Sequence, residues 1–391
     1  MPPQLISRSA DLARLREEGY EVEVRDGYLL VGHVPYVDTD TDVRYGTLVS
    51  ELTLEGEVTA RPSTHVAMFA GGIPCDADGR PLRRILHSQS EQQLAPDLKI
   101  SCTFSSKPKA GYRDYYEKMT TYVAILSGYA QHLQPDATAR TFPVIEESDP
   151  DSVFLYTDTA SSRAGLGAIN TKLEQDRVAI VGLGGTGSHI LDLLAKTWVR
   201  EIHLFDGDAF RQHNPFRAPG ATPCEDLAGG PNKAVHFAEV YGRMRRGIIA
   251  HGVRIDDTNV DKLREMDFVF IAIDDGPSRR LIVRSLRGFQ IPYIDVGLGV
   301  YEADGALSGL IRVTTGMPGG DHDAEDQRLP YQVGPDNDYN RNIQVVDLNA
   351  LNAVLAVIKW KKLRGYYADQ EHERHSIYQI GGNLITNEDA P

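Results

Sequence analysis

The stretch RVAIVGLGGTGSHILDLLAKTW (177–198), followed at once by EIHLFD (201–206), constrains this chain more than any other. RVAIVG is a short β-branched apolar run that reads as a buried strand, and HILDLLAKTW has helical spacing. Between them GLGGTG satisfies G-x-G-x-x-G through Gly182, Gly184 and Gly187, with Gly185 as a fourth glycine. Glycines here allow a tight turn and close backbone approach, and the helix N-terminus turns free N–H groups and a positive dipole end toward phosphate. EIHLFD is the next strand and ends on Asp206, placed to accept from ribose hydroxyls. The combination predicts a nucleotide-binding βαβ unit.

The alternation continues. KAVHFAEVYGRM (233–244) reads as a helix, DFVFIAID (267–274) as a buried strand and SRRLIVRSLRG (278–288) as a helix closed by Gly288. IPYIDVGLGV (291–300) and ALSGLIRVTT (306–315) read as later strands, and VDLNALNAVLAVIKWKKLRG (346–365) as an amphipathic helix. The expected fold class is α/β, a doubly wound, Rossmann-like and mostly parallel sheet. Residues 316–344 are Gly/Pro/Asp-rich without periodicity, which reads as a long functional loop or a solvated excursion.

The glycine loop alone does not separate NAD from ATP; the residues after it do. DGDAFRQHNPFR (206–217) adds Asp208, Asn214 and Arg217, and Lys233 opens the next helix. An NAD-dependent oxidoreductase has no use for this cluster, whereas a triphosphate is neutralised by Arg and Lys and accepts from Asn. Asp274 ends a strand where open α/β sheets bind ligands, and a carboxylate there can hold magnesium.

With these residues in order, the segment from about Ser162 to Gly365 resembles the ThiF/MoeB/HesA superfamily, the adenylating fold of ubiquitin-activating enzymes. Gly182, Gly184, Gly185 and Gly187 match its G-x-G-G-x-G loop, Asp206 and Asp208 its D-x-D, Asn214 and Arg217 its N-x-x-R, Lys233 its lysine and Asp274 its magnesium-associated aspartate, in IDD rather than TDN. Arg163, in SSRAG ahead of the first strand, matches an arginine that reaches the ATP of the partner subunit. The resemblance implies a homodimer that uses Mg and ATP to adenylate the C-terminal carboxylate of a ubiquitin-like protein, releasing pyrophosphate. Such chemistry needs positioning and charge neutralisation rather than a strong base. A sulfur-carrier adenylyltransferase and a non-catalytic nucleotide-binding scaffold are the alternatives; retention of Arg217, Lys233 and Asp274 disfavours the scaffold.

Cysteine usage marks two departures. The chain has Cys75, Cys102 and Cys224 and no C-x-x-C pair, so the structural zinc of many relatives is not expected. Conjugating-type relatives carry a thioester cysteine, but 316–344 has none. Cys224, in RAPGATPCEDLAGG, is the candidate; its acidic neighbours Glu225 and Asp226 repel a thiolate, and an inert loop thiol is the other reading. Cys102 reads as strand core and Cys75 as an exposed turn.

Residues 1–150 read as a smaller α+β domain: a helix at 9–18, strand patterns over 21–37, 46–60 and 64–71, and a helix over 112–133. KPKAGYRDYYEK (107–118) reads as a solvated basic helix start with packed tyrosines, and HERH (372–375) lacks further metal ligands. The acidic, proline-bearing 143–152 is the expected linker to a ThiF-type domain at 151–391. This first part resembles a domain fused ahead of ThiF-like modules in bacterial ubiquitin-like conjugation operons, which implies binding of the modifier, a conjugating enzyme or a target.

A chain of 391 residues accommodates two or three domains. With 41 basic and 55 acidic side chains its formal net charge is −14, which argues against broad capture of nucleic acid or an anionic membrane surface. No apolar run approaches the ~18 residues of a membrane span, and the N-terminus lacks the apolar core of a secretory signal. Sparse cysteines suit a reducing compartment, so a cytoplasmic location is expected.

Overall fold

The structure, a computed structural model, describes residues 3–146, 151–174, 176–332 and 343–388. The chain divides into two compact units, Met1–Ser148 and Asp149–Pro391. The stretch 143–152, expected as the linker, straddles that division, and its residues 147–150 lie outside the described part.

The first unit is β-rich. In chain order it contains α1 (Pro3–Arg8), α2 (Ala10–Glu17), β1 (Val22–Arg25), β2 (Tyr28–Val37), β3 (Val43–Glu51), β4 (Leu54–Glu55), β5 (Val58–Thr59) and β6 (Val66–Ala70). These are followed by β7 (Leu86–Ser88), β8 (Gln92–Ala95), β9 (Leu98–Ile100), β10 (Cys102–Ser105) and α3 (Tyr115–Leu133). An antiparallel sheet runs β1-β2-β3-β6-β10-β7. Tyr115, Met119, Tyr122 and Leu126 recur at helical spacing and share a core with Leu29, Val31, Phe69 and Phe104 of the sheet. Asp114 starts α3 by accepting from Glu117 N.

Two sequence expectations fail here. Lys118 is not solvated: it is fully buried, with Nζ donating to Ser50 Oγ at 2.8 Å and Thr64 O at 2.9 Å. Its place in the helical stripe, one residue before Met119, turns it inward. Cys75 is buried rather than exposed, because its backbone bridges to Val37 and Pro81. Cys102 is strand core, and burial pushes its thiol up to about 11.

The second unit contains α4 (Thr159–Ala164), α5 (Gly167–Asn170), β11 (Arg177–Val181), α6 (Gly185–Ala195), β12 (Glu201–Phe205), α7 (Lys233–Gly242), β13 (Ile248–His251), β14 (Phe268–Ile271) and α8 (Gly276–Phe289). It ends with β15 (Tyr293–Ala303), β16 (Ala306–Gly316), α9 (His322–Arg328), α10 (Val346–Leu363), β17 (His375–Gln379) and β18 (Leu384–Glu388). The sheet order is β13-β12-β11-β14-β15-β16-β17-β18, parallel from β13 to β15 and antiparallel from β15 onward. Alternation along β11 sends Val178 and Ile180 to one core with Ile190, Leu194, Phe237 and Trp360, and Ala179 and Val181 to another with Leu263, Ile282 and Leu286. Helices therefore cover both faces, as expected of a doubly wound domain.

The mostly parallel expectation holds for four of the seven strand pairings, and the remaining three, from β15 to β18, are antiparallel. Ala303 pairs with Ala306 across a two-residue turn, Asp304-Gly305, in which both residues have positive φ (52° and 76°). That is the primed turn that closes a hairpin. The stretch 316–344 contains the short helix α9, whose N-cap Asp321 accepts from Asp323 N and Ala324 N; residues 333–342 lie outside the described part. Among the described residues no helix is long and apolar enough to cross a membrane.

Candidate functional site

Strand order reverses about β11: the chain passes to β12 on one side and returns to β14 on the other. In such sheets the crevice at the C-terminal strand ends is the ligand site. A cleft of ≈ 1020 Å³ opens there and continues over β15, β16 and β17 through Gly297, Gly299, Leu310 and Ile377. Its size is at the upper end for small-ligand pockets.

The glycine loop forms one wall, and each glycine has a separate reason. Gly182 has φ +91°, and a Cβ there would lie 2.4 Å from Ala272 O, where the ends of β11 and β14 converge. A Cβ on Gly187 would lie 1.9 Å from Gly182 O, and one on Gly185 would strike Asn349 of α10. Gly184 differs: it is the N-cap of α6, makes no side-chain cap, and a Cβ there meets nothing within 4 Å. The cleft-facing helix end is thus bare backbone, suited to an anion.

Asp206 is buried and organises the turn. Its Oδ2 accepts from Leu183 N at 2.7 Å and its Oδ1 from Asp208 N at 2.8 Å. Asn232 ties the same turn to α7, donating to Asp206 O and capping Ala234 N and Val235 N. Lys233, also buried, reaches Asp208 Oδ2 at 2.9 Å and Asp206 Oδ2 at 3.8 Å. Asp208 receives a second cation, Arg254, at 2.6 Å; the Arg254 and Lys233 hydrogen bonds hold its carboxyl down to about 2.

Arg217 lines the cleft from a short 3-10 turn, Pro215–Arg217, and its Nε is a buried donor with no partner among the described residues. Asn214 does not line the cleft: it is buried, and its Oδ1 accepts from Arg211 N at 2.8 Å, shaping the turn that presents Arg217. Asp274 and Asp275 lie just past β14, where Asp275 caps α8 through Ser278 N and Asp274 lines the cleft. Cys224 is exposed on a 3-10 turn, Cys224–Leu227, and does not line the cleft. Arg163 falls on α4, and its side chain lies outside the described part.

Sequence reasoning missed a buried charge group under the cleft. Asp295, fully buried, pairs with Arg279 Nε at 2.8 Å and with Arg312; Arg279 also donates to Pro330 O at 2.7 Å and to Ile273 O. The group joins the ends of β14, β15 and β16 and clips residue 330 beside them. A signal was present, because Asp295 and Arg312 interrupt apolar strand runs and a buried charge needs a partner. Arg254 carried no such signal. It became legible only once the end of β13 was placed beside Asp208.

Residues 10–159 match a domain of unknown function (DUF6791), and residues 144–330 match the ThiF family. Over 143 residues the chain is 29% identical to the SAMP-activating enzyme E1 of Haloferax volcanii, a stretch that is 36% of this chain and 51% of that protein. The chain thus spans about half the length of this curated relative. Among solved structures, E. coli MccB with MccA-N7isoASN aligns at 20% identity over 60% of this chain and 72% of that one, with a TM-score of 0.46. E. coli MccB with ATP aligns at 20% identity over the same shares, 60% and 72%, with a TM-score of 0.44. PaaA aligns at 16% identity over 76% of this chain and 97% of that one, with a TM-score of 0.46.

Proposed function

Residues 144–330 carry a ThiF-family domain, and from that premise we propose that the chain adenylates the C-terminal carboxylate of a ubiquitin-like protein with ATP. The observation that carries this reading is the convergence in one cleft of a bare helix N-terminus at Gly184, the cations Arg217 and Lys233, and the acid Asp274. The triphosphate would lie along the N-terminus of α6, with Asp206 toward the ribose. The part of the cleft over β15 to β17, floored by Gly297 and Gly299, has room for an extended chain end.

In the proposed step a carboxylate oxygen attacks the α-phosphorus of ATP. The new O–P bond forms as the bond from the α-phosphorus to the bridging oxygen breaks, and pyrophosphate leaves with that electron pair. The attacking group is already an anion, so Lys233 and Arg217 act by neutralising phosphate charge rather than by moving a proton. Among the described residues no group of three or more His, Cys, Asp or Glu side chains is arranged to hold a metal. Magnesium is ordinarily held by one or two carboxylates together with phosphate oxygens, which Asp274 fits. Bound there it would supply further neutralisation of the phosphates.

Arg163 is proposed to complete the site of a partner subunit, making the working form a homodimer. The first unit is proposed to bind the modifier, a conjugating enzyme or a target in the cytoplasm; cross-linking of the full chain to the modifier, mapped by mass spectrometry, tests this. A thioester step after adenylation, with Cys224 as acceptor, is a further part of the reading.

ATP–pyrophosphate exchange tests the main proposal. Exchange should require a ubiquitin-like protein with a free C-terminus and should be lost in Asp274→Ala and Arg217→Ala. Exchange that survives both substitutions overturns the mechanism.

A further inference from the structure

We propose that Arg254 recognises the base of the bound nucleotide by laying its guanidinium plane on the adenine ring. The inference rests on the nucleotide reading of the cleft and deepens it.

The position follows from strand order. Phosphate belongs at the α6 N-terminus beyond β11, and the acid for the ribose ends β12, the next strand out. One strand further, about 4.8 Å away, is β13. A nucleotide running outward from the loop therefore brings its base over the segment that follows His251. Arg254 and Ile255 are the residues of that segment that line the cleft. Ile255 is buried and gives an apolar wall. The Arg254 side chain is 79% exposed.

Exposed arginines are usually mobile, but this one is tethered. One edge of its guanidinium donates to Asp208 Oδ1 at 2.6 Å, and Asp208 is itself pinned by Lys233 at 2.9 Å. Its stem lies against Gly207, where a Cβ would come within 2.8 Å of Arg254 Cγ and 3.0 Å of its backbone N. The glycine inside D-G-D thus admits the arginine. Among the described residues no aromatic ring covers the guanidinium. A planar, weakly hydrated cation held at one edge with its face open is suited to stacking on a purine, which lysine is not.

Calorimetric titration of the full chain with ATP, CTP and tripolyphosphate tests this. Arg254→Ala should weaken ATP about tenfold, remove any preference over CTP, and change tripolyphosphate less than about twofold. Arg254→Lys should not restore ATP affinity. Gly207→Ala should reproduce the loss, with no further loss in the double variant. Equal weakening of tripolyphosphate and ATP would make Arg254 a phosphate cation and overturn the inference, as would unchanged ATP affinity in Arg254→Ala. Wild-type protein that binds tripolyphosphate but not ATP overturns the nucleotide reading itself, whereas normal wild-type ATP binding with an indifferent Arg254 overturns only the base contact.

Discussion

Lys233 Nζ lies 2.9 Å from Asp208 and 3.8 Å from Asp206, so the first cation of α7 is held by both acids that follow β12. The pairing fixes a buried ammonium in the wall of the cleft. Lys233→Met should lower ATP–pyrophosphate exchange by about 10²–10³-fold, the usual cost of removing one preorganised charge donor. Exchange at the wild-type rate would show that Lys233 only braces the turn.

Gly184 and Gly187 should respond differently to the same substitution. Gly187→Ala forces a Cβ to within 1.9 Å of Gly182 O, so it should destabilise the second unit and lower its melting temperature. Gly184→Ala meets nothing within 4 Å in the protein, so it should keep a near-native melting temperature while weakening ATP binding. Thermal melts paired with ATP titration separate the two, and equal melting temperatures would refute the distinction.

Asp295 balances Arg279 and Arg312 beneath the cleft. Asp295→Asn leaves two guanidinium groups without their carboxylate, a change that costs on the order of 3–5 kcal/mol for a broken buried pair. Urea unfolding followed by Trp198 and Trp360 fluorescence reports on this unit. A loss below about 1 kcal/mol would mean water already screens the cluster.

Lys118 should make the first unit more stable in alkali. Burial lowers its pKa to about 8, against the usual 10.5 of an unfolded chain. Below about pH 8 the group is charged in both states and the full burial penalty is present. Between about 8 and 10.5 the unfolded chain holds the extra proton, so stability rises with pH. The full swing is about 3 kcal/mol. Comparison with Lys118→Met isolates it: the stability difference should move toward wild type between about pH 7.5 and 10, measured by protection of the α3 amides from hydrogen exchange.

Cys224 is exposed and lies outside the cleft, so Cys224→Ser should retain pyrophosphate exchange. A non-reducing gel of enzyme, ATP and modifier carries the second half of this prediction. A thiol-sensitive adduct present in wild type should vanish in Cys224→Ser; one that persists moves the acceptor role elsewhere.

Legibility in the sequence followed the range of the interactions. GLGGTG, its flanking strand and helix, and Asp206 and Lys233 were readable because turn chemistry and periodicity act over a few residues. The Asp304-Gly305 turn is an equally local signal, unused in the sequence analysis, and it joins β15 to β16 as an antiparallel hairpin. Cys75 and Lys118 were misread because their burial depends on Val37, Ser50 and Thr64, residues distant in the chain.

The sequence by itself determined that a nucleotide-type βαβ unit exists and that a cation cluster follows it. Only the tertiary structure decided which cations share a site. Strand order set the end of β13 beside the end of β12, which brought Arg254 onto Asp208, forty-six residues away in the chain. It also stacked Asp295 between Arg279 and Arg312, and left Asn214 shaping a turn rather than lining the cleft. Hydrophobic periodicity specifies which face of an element is buried, but not which strand becomes its neighbour, and charge pairing across strands depends on the neighbour.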